Sequence, residues 1–409
     1  MVTRQECQAY DACDPLAALR AQFVVPDGMI YLDGNSLGPP VRASATRVAA
    51  FVTDEWGAHL IGGWERDGWI ASGARLGARI APLIGARPDE VMVCDSTTVN
   101  LFKLLHVAVA MRPDRSVILA SDDDFPTDRY LVQAVAEQRG CTVRWAPPHE
   151  WQGATLDGVA VGALSHVNFR SGLIHDMGAI TRALHDVGAL AVWDLSHSVG
   201  ALPVDLGGCD VDLAVGCTYK FLCGGPGAPA FAMVGEHLHG EAPRTPIPGW
   251  LGHATPFAFA SDYAPAPDIG WAVTGTPSIA SHVLLDVALD VVTAVDTGDS
   301  RRKAVELGAL FLDVVEREVP GAFTLHSPRE PDLRGNHLSL GHPEGFAIIQ
   351  ALIARGVVGD FREPDVLRFG FAPLYVSYAE VHDAAMALVE VIRTDEWRDP
   401  RFNVRGTVT

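Results

Sequence analysis

A chain of 409 residues, 48% hydrophobic and 20% charged, is long enough for a large core and a second, smaller domain. Its formal net charge of −19 repels phosphate backbones and anionic lipid, which argues against nucleic acid or a membrane surface as partner. Seven cysteines, an odd count with no CxxC pair, argue against a disulfide framework and a structural zinc site, so no metal is expected and a reducing cytoplasm fits.

In chain order, the opening MVTRQECQAYDACDPL lacks the apolar core of a signal peptide. No apolar run approaches the ~18 residues of a membrane-spanning helix, so a soluble protein is expected. Residues 1–50 read as a loop-rich segment packing on both later parts. From about 90 to 235, β-branched runs alternate with amphipathic stretches. The predicted strands are Val91–Cys94, Ser116–Ala120, Thr142–Ala146, Val159–Leu164, Ala189–Asp194, Val211–Val215 and Ala230–Val234. Helical patterns over Asn100–Met111, Asp128–Arg139 and Met177–Val187 lie between them. Near-continuous apolar strands alternating with helices predict an α/β fold with a mostly parallel seven-stranded sheet covered on both faces. After about 280, helices near Ser281–Val295 and Arg301–Val319 precede two short strands, Asn336–Leu340 and Val366–Phe369, and a last helix, Tyr378–Ile392. This reads as a smaller α+β domain over 286–409, with the large domain over 51–285.

Ligands of such sheets sit beyond the carboxyl ends of the strands, and polar residues there are the candidates. Asp194 ends a strand, His197 follows, and Lys220 follows the next strand, running into Gly224-Gly-Pro-Gly227. A lysine amine can form a Schiff base and later carry a proton. A carboxylate can pair with a pyridinium nitrogen. Each residue alone has a plainer reading, Lys220 as a surface lysine and Asp194 as a helix cap. Together they predict a pyridoxal 5′-phosphate site. Ser96-Thr97-Thr98 opens a helix after a strand, which suits a phosphate, although without the lysine site a plain cap is the favoured reading. Phe125 follows a strand and an acidic run. Four acids lie close together there (122, 123, 124 and 128), and spacing does not choose among them.

The chain resembles the fold-type-I pyridoxal-phosphate enzymes, and within them the kynureninases, over nearly its whole length. The resemblance rests on Tyr31-Leu-Asp-Gly-Asn-Ser-Leu-Gly38, Ser96-Thr-Thr-Val-Asn-Leu101, Phe125-Pro-Thr-Asp128-Arg-Tyr130, Ser165-His-Val-Asn-Phe-Arg-Ser-Gly172, Asp194/His197/Tyr219-Lys220, Pro248-Gly-Trp250 and Leu367-Arg-Phe-Gly-Phe-Ala-Pro-Leu-Tyr375. It implies a hydrolase acting on a carbon–carbon bond, converting L-kynurenine to anthranilate and L-alanine with Lys220, Tyr219 and Asp194 as catalytic residues. It implies cofactor contacts from Thr97, Thr98, Phe125, Asp128, Asp194, His197, Tyr219 and Lys220. Trp250 and Thr276 would come from the neighbouring subunit of a homodimer. Substrate contacts are implied for Arg368, Ser36 and Trp64. Two positions depart from the animal members, Thr274-Gly-Thr276-Pro277 and Trp64, which puts 3-hydroxykynurenine in doubt as substrate.

A cysteine desulfurase needs a mobile cysteine in the last third of the chain, and none lies beyond Cys223. An aminotransferase shares the Lys, Asp and Arg and is separated less cleanly. A non-catalytic regulator on this fold would carry an added DNA-binding module or lack the lysine. A nicotinamide enzyme would show GxGxxG after a strand.

Overall fold

The computed structural model describes residues 2–240 and 245–406. In chain order its strands are β1 (Ile30–Tyr31), β2 (Val91–Val93), β3 (Val117–Ala120), β4 (Thr142–Trp145), β5 (Val159–Ser165), β6 (Leu190–Asp194), β7 (Leu213–Gly216), β8 (Phe231–Val234), β9 (Thr324–Leu325), β10 (His337–Gly341), β11 (Val357–Val358), β12 (Asp360–Arg362) and β13 (Val366–Gly370).

All seven predicted strands of the large sheet form, in the order β2-β8-β7-β6-β5-β3-β4. The pairs from β7 through β4 are parallel, while β8 runs antiparallel to both β2 and β7. Every residue of β5, β7 and β8 is buried, as two helix-covered faces require. The helices Thr97–Ala110, Pro126–Arg139 and Met177–Asp186 match the predicted patterns within a few residues. Ser96 caps the first, its Oγ accepting the Val99 N–H at 3.3 Å. Pro126 opens the second, where its missing N–H costs nothing.

The smaller sheet has four antiparallel strands, β12-β13-β10-β9, not the two expected. The extra strands are two and three residues long, too short for an alternating signal. Asp360-Phe-Arg362 also puts its charges on buried partners, so the apolar pattern is absent where burial is greatest. Helix Gly345–Ala354 was likewise unforeseen, because its nearly continuous apolar run has no helical period to read. Helices Thr297–Glu318 and Tyr378–Arg393 cover this sheet, and Phe311 packs on Phe369 with ring centroids 4.8 Å apart.

The first residues form more structure than their composition suggests. Helix Arg4–Cys13 starts in a reciprocal cap: Thr3 Oγ1 accepts the Glu6 N–H, and Glu6 Oε2 accepts the Thr3 N–H. β1 pairs with β11, and the Gly38 N–H donates to the Tyr219 carbonyl at 2.8 Å. The Asn35–Gly38 segment is thereby fastened beside Lys220.

Candidate active site

A cavity of about 260 Å³ opens at the carboxyl ends of β2, β3, β5, β6 and β7. Its walls include Lys220, Tyr219, Asp194, His197, Asp128, Phe125, Thr97, Thr98, Ser36 and Arg368, ten of the predicted site residues. The sheet order explains the convergence. The turns after β6 and β7 are neighbours, and they carry Asp194-Leu-Ser-His197 and Tyr219-Lys220 to one point. Lys220 Nζ lies 2.9 Å from His197 Nε2. Burial, then the Lys220 charge, holds His197 well below the ordinary imidazole value. The ring is therefore neutral at physiological pH and can accept a hydrogen bond from the lysine.

The structure resolves the acidic run. Asp122 and Asp123 face solvent, whereas Asp124 and Asp128 are buried. Only Asp128 of the four reaches the cavity wall. Burial, then the charges of Asp194 and Asp124, pushes Asp128 well above the usual carboxylate range. Asp124, behind the cavity, is raised to about 7, chiefly by burial. Asp194 ends β6 with Oδ1 accepting the Ser196 N–H at 2.6 Å, which fixes its orientation. A protonated Asp128 beside an anchored Asp194 suits a site for a ring nitrogen carrying a proton.

Thr97 and Thr98 occupy the first turn of helix Thr97–Ala110, where backbone N–H groups lack helical partners. Thr97 Oγ1 is buried with no hydrogen-bond partner among the described residues. Behind this turn is a feature that spacing did not reveal. The buried Lys103 pairs with Asp95 at 2.6 Å, and Asp95 accepts the Thr274 hydroxyl at 2.6 Å. Asp95 sits at φ +46°, in the left-handed region. The Lys103 ammonium thus ties the phosphate-type turn to the loop leading to Thr276.

The opposite wall is a cluster of charges. Asp360 receives Arg368 Nε on Oδ1 at 2.7 Å, and Arg368 Nη2 and the Ser36 hydroxyl on Oδ2. Arg362 Nη2 is 2.7 Å from the same Oδ2. Arg368 is 2% exposed and also donates to the Phe169 carbonyl at 2.5 Å. Burial alone would raise Asp360, but the Arg368 hydrogen bonds and charge hold it at about 2. Asp33 beside it is raised, by burial first and then by the Asp360 charge. Sequence reasoning found Arg368 and Ser36 and missed Asp360, Arg362 and Asn35. Asp360 and Arg362 signalled only as an acid and a base beside an apolar strand, and Asn35 lay unremarked within the Tyr31–Gly38 segment.

Three predicted residues do not reach the cavity within one chain. Trp64 packs edge-on against Trp69 at 5.9 Å. Trp250 is 40% exposed and clusters with the exposed Phe257 and Phe259. Thr276 is exposed.

Comparison with known proteins identifies the family. The family model for the kynureninase C-terminal domain matches residues 300–388, and that for aminotransferase class-V matches residues 72–337. Kynureninases from Pseudomonas fluorescens and Burkholderia mallei (strain SAVP1) are 46% and 45% identical to this chain, each covering 100% of both proteins. The chain belongs to the kynureninase family. Solved structures share the fold at low identity. A cysteine desulfurase from Thermococcus onnurineus NA1 matches with a TM-score of 0.78 at 15% identity, covering 92% of this chain and 98% of its own. One from Escherichia coli gives 0.74 at 18%, covering 93% and 98%.

Kynureninases of this fold depend on pyridoxal 5′-phosphate. The residues present fit it. The buried Thr97 Oγ1 and His197 Nδ1 have no protein partner among the described residues, and both belong to residues lining the cavity that holds Lys220. Phe125, 42% exposed, offers a ring on the same wall.

Proposed function

We propose that this chain hydrolyses the Cβ–Cγ bond of L-kynurenine to anthranilate and L-alanine, with 3-hydroxykynurenine the poorer substrate. One observation carries the site assignment: a single cavity joins the Lys220 amine, an Asp128/Asp194 pair and a guanidinium cluster. Those are the groups required to hold an aldehyde cofactor, its ring nitrogen and an amino-acid carboxylate.

When bound, pyridoxal phosphate supplies the electron sink that allows bonds beside the substrate's amine carbon to break. Thr97, Thr98 and the helix N-terminus would hold its phosphate by hydroxyl and backbone N–H donors. Phe125 would offer its ring to the cofactor's. Asp194 would hold the protonated ring nitrogen, with Asp128 beside it pushed toward its neutral form. Lys220 is the amine that would hold the cofactor's aldehyde, and it is placed to take the substrate's α-proton. Neutral His197 accepts a hydrogen bond from Lys220 and so orients its amine. Tyr219 carries a phenol that burial keeps protonated, and it serves as the proton relay to the leaving side of the substrate. Ser36 and Arg368 mark the end of the cavity that takes the carboxylate.

The active form is a cytoplasmic homodimer. Exposed Trp250, Phe257 and Phe259 form an apolar patch of the kind that interfaces cover. In this reading Trp250 and Thr276 complete the partner's cofactor site, and Trp64 borders the substrate ring. The chain divides into a segment over 1–50, a large domain over 51–285 and a small one over 286–409.

The test pairs spectrum with product. Wild-type protein shows a near-visible cofactor band and forms fluorescent anthranilate from L-kynurenine, and Lys220→Ala loses both. A band without anthranilate, with pyridoxamine phosphate accumulating beside a keto acid, identifies an aminotransferase instead.

A further inference from the structure

Several buried polar atoms near Lys220 have no partner among the described residues: Nδ1 of His197, both ring nitrogens of His337, and Oδ1 and Nδ2 of Asn35. Buried polar groups are normally paired, because a hydrogen bond left unmade away from water costs the full desolvation of the group. The fold sets these three side chains together. His337 opens β10 and stands opposite Gly370 of β13. Gly370 has no side chain, and the Asn35 amide occupies the place of its Cβ, next to the His337 ring. His337 Nε2 lies 3.3 Å from where a Cβ on Gly172 would stand, so that glycine leaves room for the ring. The His337 and His197 ring centroids are 5.5 Å apart. Both rings are neutral. Burial, then the Lys220 charge, lowers His197, and burial, then the Arg368 charge, lowers His337 to about 3. The charges facing the pair are Lys220, Arg362, Arg368 and Arg334, against Asp360, which disfavours a further proton on either ring.

We propose that His337 is a positioning residue of the site, accepting the His197 Nδ1–H with Asn35 behind it, and so holding His197 in the tautomer whose Nε2 accepts from the Lys220 amine. A neutral imidazole has one N–H and one lone pair. His197 Nε2 meets Lys220 Nζ at 2.9 Å, so with that nitrogen accepting, the ring proton sits on Nδ1 and needs an acceptor of its own. His337 supplies it by a turn about its Cβ–Cγ bond, a torsion with a broad minimum in histidine. The second nitrogen of His337 then donates to the Asn35 carboxamide oxygen. The direction of every hydrogen bond from Lys220 to Asn35 is thereby fixed. This rests on the Lys220 role proposed above and adds what orients that amine.

The experiment follows the full chain labelled with nitrogen-15 histidine, first without cofactor, where Lys220 is a free amine, and then loaded with pyridoxal phosphate. Two-bond nitrogen–proton spectra read the tautomer of each ring, and His197→Asn assigns the His197 signals by their loss. At neutral pH the unloaded wild type is expected to show an uncharged His197 with its proton on Nδ1. His337→Phe keeps the bulk and removes the acceptor. Its His197 signals are expected to average between tautomers, and the pH midpoint of the loaded protein's cofactor band to move by about half a unit or more. His337→Gln keeps an amide acceptor and is expected to restore most of both. In the wild type, a proton on Nε2 of His197 or a charged His197 ring overturns the assignment without any variant, so the test stands even if His337→Phe does not fold. A folded His337→Phe with His197 signals and band midpoint like the wild type's overturns it too. A wild type with the expected tautomer that forms no anthranilate refutes the proposed reaction and leaves the His337 assignment supported.

Discussion

Replacing Asp360 by Asn measures how much the buried charge cluster holds the small sheet to the site. Asp360 is 1% exposed and Arg368 2%. The Asp360 carboxylate accepts two N–H groups from Arg368 and one hydroxyl from Ser36. Asn keeps one oxygen, but its amide nitrogen opposes a guanidinium or hydroxyl hydrogen with its own. Removing one partner of a buried pair leaves the other charge without compensation and costs about 3–5 kcal/mol. The Arg362 contact adds little, since that side chain is one-third exposed and screened by water. Set against a typical total stability of about 5–15 kcal/mol, the loss is large. Urea unfolding of the holoenzyme, followed by tryptophan fluorescence and far-ultraviolet circular dichroism, reads it as a lower midpoint. The double variant Asp360→Asn/Arg368→Gln is expected to recover part of the loss, because the stranded charge is gone. A single-variant loss below about 1 kcal/mol, or strict additivity in the double variant, refutes the reasoning. The acid limb follows the same logic. The Asp360 folded-state value of about 2 lies below the ordinary value of about 3.9, so its stability is present above the latter and lost as pH falls toward the former.

Gly38→Ala is expected to destabilise by about 1–3 kcal/mol and to disturb the cofactor band, because an added Cβ strikes the Lys220 carbonyl and comes within 2.5 Å of Cys223 Sγ. Thermal unfolding and the absorbance maximum check both parts; an unchanged spectrum and midpoint would show that the segment yields easily. Buried His166 and His282 are lowered to about 4, and His337 to about 3, in each case mainly by burial. Their unfolded forms take up protons below about 6.5, so stability is full above that pH and falls between it and pH 4, by on the order of 1–2 kcal/mol per histidine at pH 5. A urea midpoint flat from pH 7 to 5 contradicts this. Subunit exchange tests the proposed dimer: mixing inactive Lys220→Ala with Trp250→Ala should restore anthranilate formation, since one site of the hybrid holds both residues intact. No recovery, with exchange verified by sedimentation of tagged chains, excludes a shared site.

The central sheet was legible because its strands are buried on both faces, so β5, β7 and β8 read as unbroken apolar runs. The candidate cluster was legible where chemistry concentrates at strand ends, as at Asp194, His197 and Lys220. The four-stranded sheet and its helices were less so. Its two shortest strands and the all-apolar helix Gly345–Ala354 carry no period. The acidic run 122–128 held its information in burial, which spacing does not encode.

By itself the sequence determined the family, the large sheet, and the candidate lysine and acid at its strand ends, because residue type and local pattern carry those. Tertiary structure alone decided what each charge touches. It brought Asp128, alone of four acids, to the cavity wall, tied Lys103 to Asp95 behind the helix start, and closed Asp360 on both Arg368 and Arg362. Such pairings form between segments far apart in the chain, and their strength depends on the water excluded around them. Lys220 was one of 31 basic residues until folding set it 2.9 Å from a neutral histidine.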